Sequence, residues 1–301
     1  MPALPRLEPT TWGNRTLTWG ARTYVMGILN ITPDSFSLDG LALADLSAEQ
    51  IVAAALERAQ AMVAAGANML DIGGESTRPS TTGEPPLPAE VERSRVVPVI
   101  EALSVALPSS IHISIDTSKA SVAEAALNAG AHIVNDVWGL RADPELAALV
   151  ASHGVPVVVM SNLRGQPRRD ALSDVVRQLS GSVEIALNAG IPWQRIILDP
   201  GFGFGLQGAE NLDVLARMGE IKALGRPLLV GVSRKSHIGQ ILNATVDDRL
   251  EGTAAEVALA IAQGADIVRV HDVRQMARVA KVADAVTRGW RGFLEPEGQA
   301  K

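Results

Sequence analysis

Asp199 closes the apolar run IILD and is followed by glycines at 201, 203 and 205 in the stretch LDPGFGFG. An acid ahead of closely spaced glycines has two chemical readings. In a dinucleotide-phosphate turn the glycines lead into a helix, and a second acid about twenty residues on ends the next strand. Glu220 has roughly that spacing, but it lies inside NLDVLARMGEIKAL, where Leu212, Leu215, Ile221 and Leu224 recur at helical intervals. It therefore cannot end a strand. The remaining reading makes Asp199 a carboxylate acceptor for a ligand, with the glycines letting the backbone turn closely over it.

Other polar residues fall at the ends of similar apolar runs. Asn30 ends VMGILN; Asp71 lies in MLDIGGE, which leads into Ser76, Thr77 and Arg78; Asp116 ends ISID; Asn135 and Asp136 follow HIV. Ser233, Arg234 and Lys235 follow PLLVGV, and Arg269 and His271 belong to DIVRVHD. Taken singly, each has a bland reading. Asp116 before Thr117-Ser118 reads as a helix N-cap, Asp71 as a brace for backbone or a neighbouring side chain, His271-Asp272 as a cap or surface pair, and Arg234 as a solvated charge. Taken together they form a recognition set. Asp116, Asn135 and Asp199 offer the acceptors that a flat heterocycle with an amino-pyrimidine edge requires, and Lys235 can donate to a ring carbonyl or ring nitrogen. Asn30, Arg269 and His271 make a donor-rich, cationic pocket for an anion. No Ser-His-Asp or Cys-His arrangement is legible. The absence of cysteine excludes thiolate and disulfide chemistry.

These residues converge only if the chain brings strand ends to one place. Eight short runs rich in Val and Ile, at 25–32, 69–75, 111–117, 132–137, 156–160, 196–200, 227–234 and 266–272, have the near-continuous apolar character of parallel strands buried on both faces. Amphipathic helical segments separate them. Ser47 with Gln50 forms a capping box, Asp143-Pro144 reads as N-cap and first helical position, and Gly66, Gly130 and Gly264 in AAGAN, NAGAH and AQGAD read as left-handed helix ends. Eightfold alternation predicts a (β/α)8 TIM barrel, in which the carboxyl ends of the strands carry the chemistry; an open doubly wound sheet is the alternative. Residues 1–23 contain WGNRTLTWG, a β-hairpin placed to close the barrel floor. The barrel is expected over 24–290, and 291–301 as a frayed tail.

The bulk properties agree with a core-forming enzyme scaffold. The chain has 301 residues, 47% of them hydrophobic and 20% charged, with a net charge of −6 and no dense basic run. Nucleic acid and membrane are therefore not expected as partners, and a cytoplasmic protein acting on small molecules is.

The segments VMGILNITPDSFS, DIGGESTRP, ISIDTSK, IVNDV, LDPGFGFG, GVSRKS and IVRVHDV occur in this order between Tyr24 and Val286. They resemble the signature segments of the dihydropteroate synthases, transferases of folate biosynthesis in the pterin-binding superfamily. The resemblance implies a homodimeric TIM barrel that joins 6-hydroxymethyl-7,8-dihydropterin diphosphate to 4-aminobenzoate and releases pyrophosphate. It also implies a target of sulfonamides, which mimic the aminobenzoate. Carried onto this chain, it implies pterin binding by Asp116, Asn135, Asp199 and Lys235, with Arg269 stacking on the ring. Asn30, Arg269 and His271 would hold the diphosphate, and Asn30 would also bind Mg2+. Thr77, Arg78, Pro79, Phe204 and Ser233 would form the aminobenzoate pocket. Arg269, His271, Lys235 and Asn30 would be the catalytic group. No strong base is needed, because an arylamine is already a neutral nucleophile. Two departures stand out: Met160 is followed by Ser161-Asn162 rather than by the family's usual histidine, and Leu38 lengthens the first loop. A pterin-dependent methyltransferase, a Schiff-base lyase using Lys235 with its pKa depressed by Arg234, and a non-catalytic pterin-binding paralogue are the rival readings.

Overall fold

The computed structural model describes residues 7–32, 47–76, 87–167 and 169–289. A short antiparallel hairpin, β1 (Thr10–Trp12) and β2 (Arg15–Leu17), comes first, turning at Gly13 with φ +51°. Strand and helix then alternate: β3 (Tyr24–Asn30), α1 (Ala48–Ala64), β4 (Met69–Gly73), α2 (Ala89–Ala106), β5 (His112–Asp116), α3 (Ala120–Asn128), β6 (Ile133–Asp136), α4 (Leu146–His153), β7 (Val157–Met160) and α5 (Ala171–Asn188). The alternation continues with β8 (Ile196–Asp199), α6 (Gly208–Ala216), α7 (Met218–Lys222), β9 (Leu229–Val230), α8 (Ser236–Leu242), α9 (Leu250–Ala262), β10 (Ile267–Val270) and α10 (Val273–Thr287). Strands β3 to β10 pair in parallel in the order β8-β7-β6-β5-β4-β3-β10-β9, and a Leu198–Leu228 bridge joins the two ends of that order. The result is a TIM barrel with an N-terminal hairpin. Among the described residues, no helix is long and apolar enough to cross a membrane.

The local signals explain most boundaries. Ser47 and Gln50 form both bonds of the capping box that opens α1, and Gly66, Gly130 and Gly264 take φ of +107°, +110° and +99° where helices turn back into the sheet. The helix expected from Asp143-Pro144 instead begins at Leu146. Asp143 divides its carboxylate, accepting the Glu145 N–H at 3.0 Å and the Ala120 N–H at 2.8 Å, so it ties two helix starts together rather than capping one. The run 227–234 contributes only Leu229–Val230 as strand; Pro227, with no N–H to give, joins β8 only by accepting the Leu198 N–H.

The hairpin sits under the barrel. Trp12, Leu17 and Trp19 form one buried cluster with Tyr24, Met26, Met69, Ile133, Val158, Ile197, Leu229 and Ile267, most of which are at or near the starts of their strands. Trp12 lies 5.3 Å from the His112 ring. Burial, reinforced by the Arg15 and Arg22 cations of the hairpin region, lowers the His112 imidazole to about 4, so this ring packs against Trp12 as a neutral group at pH 7. The second core lies between sheet and helices and includes Leu29, Leu70, Ile72, Ile115, Val134 and Leu198. An apolar floor below and an apolar jacket outside leave the carboxyl ends of the strands as the place where polar side chains meet.

Candidate active site

Four neighbouring strands present one rung at the mouth: Asn30, Gly73, Asp116 and Asn135 are register partners in turn. Gly73 keeps the rung open, since a Cβ there would lie 3.0 Å from Asn30 Oδ1 and 3.7 Å from Asp116 Cβ. Asp71 stands one layer below on the same face of β4, in register with Ser114, and is fully buried. From β10, Arg269 reaches up to both acids. Its Nε donates to Asp71 Oδ2 at 2.6 Å and its Nη2 to Asp116 Oδ2 at 2.7 Å, while Asn135 Nδ2 donates to the same Asp71 Oδ2 at 2.9 Å. The other oxygens of the two acids, Asp71 Oδ1 and Asp116 Oδ1, are buried and accept no hydrogen bond from any described residue. Asp116 is thus an ion-pair partner in the mouth and not the cap of α3, which begins four residues later.

The electrostatics follow from this crowding. Burial pushes the Asp116 carboxyl up to about 8, against the pull of Arg269 and with help from Asp71, Glu92 and Asp136. Burial also pushes Asp199 up to about 6, although the Gly201 N–H and the charges of Lys235 and Arg269 favour its ionised form. For Arg269, burial alone would lower the guanidinium, but Asp71 and Asp116 hold it above its ordinary value. Three buried acids therefore share two cations, and the mouth has acceptor capacity to spare.

Asp199 ends β8 and accepts the Gly201 N–H at 2.8 Å. The glycines that follow it approach the chain itself more closely than sequence reading anticipates. A Cβ on Gly201 would collide with the Ser161 carbonyl oxygen, and one on Gly205 with the backbone at Leu163 and Arg164; all three glycines have φ between +76° and +95°. The turn is thus shaped by the segment after β7, and only Gly203 faces a site residue, the stem of Lys235 at 3.1 Å. The Lys235 ammonium lies 4.7 Å from the centre of the Phe204 ring, and the Arg164 guanidinium 4.3 Å from the same ring. Phe204 is therefore a cation-bearing surface as well as an apolar wall.

At the other side of the mouth, Ser233 Oγ lies 3.0 Å from His271 Nδ1 and accepts the backbone N–H of His271 at 3.2 Å. This is a Ser-His contact that the sequence does not reveal. It is not a nucleophilic triad, because the neighbouring Asp272 is engaged by the Arg234 fork, with Nε at 3.0 Å and Nη2 at 2.7 Å. The same fork corrects one expectation: Arg234 is not a solvated charge but is paired with Asp272. Arg269, expected at both the heterocycle and the diphosphate, pairs in this structure with the acids of the heterocycle side.

The chain matches the pterin binding enzyme family over residues 26–271. The dihydropteroate synthase of Bacillus subtilis (strain 168) is 46% identical over 270 residues, covering 90% of each chain. The Xanthomonas albilineans dihydropteroate synthase with 4-aminobenzoic acid matches with a TM-score of 0.82 and 41% identity, covering 90% of this chain and 95% of that one. The same organism's enzyme in complex with 7,8-dihydropteroate gives 0.80 and 38%, over 91% and 96%. The chain belongs to the dihydropteroate synthase family.

Within that family framework, several features were missed or lie elsewhere. Thr77, Arg78, Pro79 and Leu38 are outside the described residues, as is the tail after 289. Asp71, read from sequence as a brace for backbone or a neighbouring side chain, braces two side chains, Arg269 and Asn135, which makes it the hub of the mouth. Lys119 bonds Glu75 at 2.6 Å and also pairs with Glu92, while Glu75 accepts the Leu87 N–H at 2.7 Å, so residues 75 and 87 are tied together. The segment with Ser161 in place of the synthase family's histidine is held by its own bonds. Ser161 N–H donates to the Asp199 carbonyl at 2.9 Å, and Gln178 exchanges two bonds with the Asn162 backbone at 2.7 and 2.9 Å.

The glycine geometry gives a direct test. Gly201→Ala is expected to lower the unfolding midpoint, since a left-handed residue with a Cβ costs about 1–2 kcal/mol before any collision with Ser161 is counted. Gly231→Ala, where a Cβ would meet nothing within 4 Å, should melt like the parent chain. Equal midpoints for both variants would contradict the close approach at Gly201.

Proposed function

We propose that this mouth binds 6-hydroxymethyl-7,8-dihydropterin diphosphate and 4-aminobenzoate and forms 7,8-dihydropteroate and pyrophosphate. The observation that supports it most is the convergence of Asp116, Asn135 and Asp199 beside Lys235, with an orphan acceptor oxygen on Asp116. A ring edge bearing adjacent N–H donors is the partner that such an acceptor-rich, buried set lacks. Lys235 supplies the complementary donor for the ring carbonyl or nitrogen.

In the reaction, the bond from the pterin methylene carbon to the diphosphate oxygen breaks, and the electron pair leaves with pyrophosphate. The aminobenzoate nitrogen gives its lone pair to that carbon and afterwards loses a proton to solvent. His271 and Asn30 face the leaving group, Arg269 adds positive charge beside the pterin, and all three favour the developing negative charge on pyrophosphate. Ser233 fixes the His271 ring through Nδ1 and, with Phe204, would border the aminobenzoate. Mg2+ fits this reading at Asn30. Its side-chain carbonyl oxygen, a hard donor, lies at the strand tip beside the mouth. That matches an ion held mainly by water and diphosphate oxygens. When bound, Mg2+ would neutralise charge on the departing diphosphate.

The deciding experiment incubates the purified chain with the dihydropterin diphosphate, labelled 4-aminobenzoate and Mg2+. Labelled dihydropteroate is expected, and chelation of the metal should suppress it at least tenfold. No product across neutral pH would contradict the proposal and favour a non-catalytic pterin binder.

We also read the chain as a homodimer. Val282 and Val286 on α10 are 67% and 80% exposed, and with Ala258, Ala262, Val279 and Ala283 they line a mostly apolar groove between α9 and α10, edged by Arg278 and Thr287. A second copy, related by a two-fold axis, would bury the same face on both partners. Sedimentation is expected to give twice the 31.6 kDa chain mass, falling to one chain in Val282→Glu. A monomer in the unaltered protein would contradict this reading.

A further inference from the structure

Asp71 is a fully buried acid inside a strand, 198 residues in sequence from the arginine it pairs with. A carboxylate in that position is costly unless its partners are well placed. Only one of its oxygens is used. Oδ2 takes both the Arg269 Nε–H and the Asn135 Nδ2–H, whereas Oδ1 accepts from no described residue. Charge neutralisation of Arg269 explains the first bond but not the second, since Arg269 already has Asp116 through Nη2.

We propose that Asp71 is a positioning residue for heterocycle recognition, fixing which edge Asn135 and Arg269 turn toward the ligand by accepting an N–H from each on one oxygen. The inference rests on the pterin reading above. A side-chain amide can rotate by half a turn at little steric cost, exchanging an acceptor for a donor. Asp71 Oδ2 also accepts from Arg269 Nε, and it is Nδ2 of Asn135 that faces this oxygen, which leaves Oδ1 facing away. Asn135 then offers a ligand an acceptor rather than a donor. Arg269 is held in the same way at two points. Its Nε bond to Asp71 lies in the deeper layer and serves as a pivot, while the Nη2 bond to Asp116 engages the acid that ring N–H groups would also seek. Ligand entry exchanges the outer bond and keeps the inner one.

The consequence is a selectivity, which bulk stabilisation does not produce. Two probes report it by calorimetry on the full chain: 6-hydroxymethylpterin, with its 2-amino group, and the analogue carrying an oxo group at that position. The unaltered protein is expected to prefer the amino compound at least tenfold. Asp71→Asn can present either an oxygen or an NH2 to Asn135, so the preference should collapse toward unity, with pterin affinity reduced about tenfold. Asp71→Ser serves as the second variant, with the same expected collapse, in case the amide does not fold. On an Asn135→Ala background, Asp71→Asn should change the ratio little further, because the group it orients is gone. Equal loss of affinity for both probes, with the ratio intact, would mean that Asp71 only balances charge and would overturn the proposal. Failure of the unaltered protein to bind either probe would instead overturn the pterin reading, and the inference with it.

Discussion

The contact between Arg269 and the two acids Asp71 and Asp116 governs the mouth of this barrel. It joins β10 to β4 and β5 across the interior, and it does so above a floor of Met26, Met69, Ile133, Val158 and Ile197 that excludes water. Because the surroundings are apolar, burial raises the Asp116 carboxyl above the usual carboxylate range, and unpaired oxygens there are costly. The hairpin contributes to function indirectly: Trp12, Leu17 and Trp19 seal the lower end, so the polar layer is solvated from one side only. A ligand that donates hydrogen bonds to Asp116 and Asp199 therefore gains more than it would from the same groups in water.

Around that hub the mouth divides. Asp116, Asn135, Asp199 and Lys235 form an acceptor-rich side suited to a ring edge, while Asn30, Ser233 and His271 flank an anion-seeking side. Arg269 lies on the first side, held by Asp71 and Asp116. The Ser233–His271 bond gives the second side its own fixed geometry, independent of the acid cluster. Membership of the dihydropteroate synthase family accounts for having both halves on one barrel, since that reaction needs a heterocycle held still while a diphosphate departs from it.

Much of this was legible in the sequence, for a physical reason. Parallel strands buried on both faces read as runs of Val and Ile, helix ends that need left-handed backbone read as Gly66, Gly130 and Gly264, and a barrel delivers strand-end residues to one mouth whatever their separation in the chain. What could not be read was pairing. Arg269 lies 153 residues from Asp116, and nothing in either local stretch says that one turns to the other rather than to Asn30. The partners of Asp71 were hidden for the same reason, as was the Ser233–His271 contact across 38 residues. Local rules failed where tertiary contacts competed with them: Asp143 shares its carboxylate with α3, and Gly201 and Gly205 yield to the backbone after β7 rather than to a ligand.

The central claim is that buried acids in the mouth, protonated more readily than usual, become the charged acceptors of a ring. Proton counting on pterin binding tests it most directly. Burial raises the Asp116 carboxyl to about 8 in the free protein, so near pH 7 its pairing with Arg269 coexists with a protonated population. Accepting a ring N–H favours the ionised form and lowers that value, so the proton must leave. Calorimetric titrations with 6-hydroxymethylpterin in two buffers of different ionisation heat should show net proton release near pH 7, fading above about pH 9, where the free acid is already charged. Proton uptake, or no exchange at any pH between these limits, would contradict it.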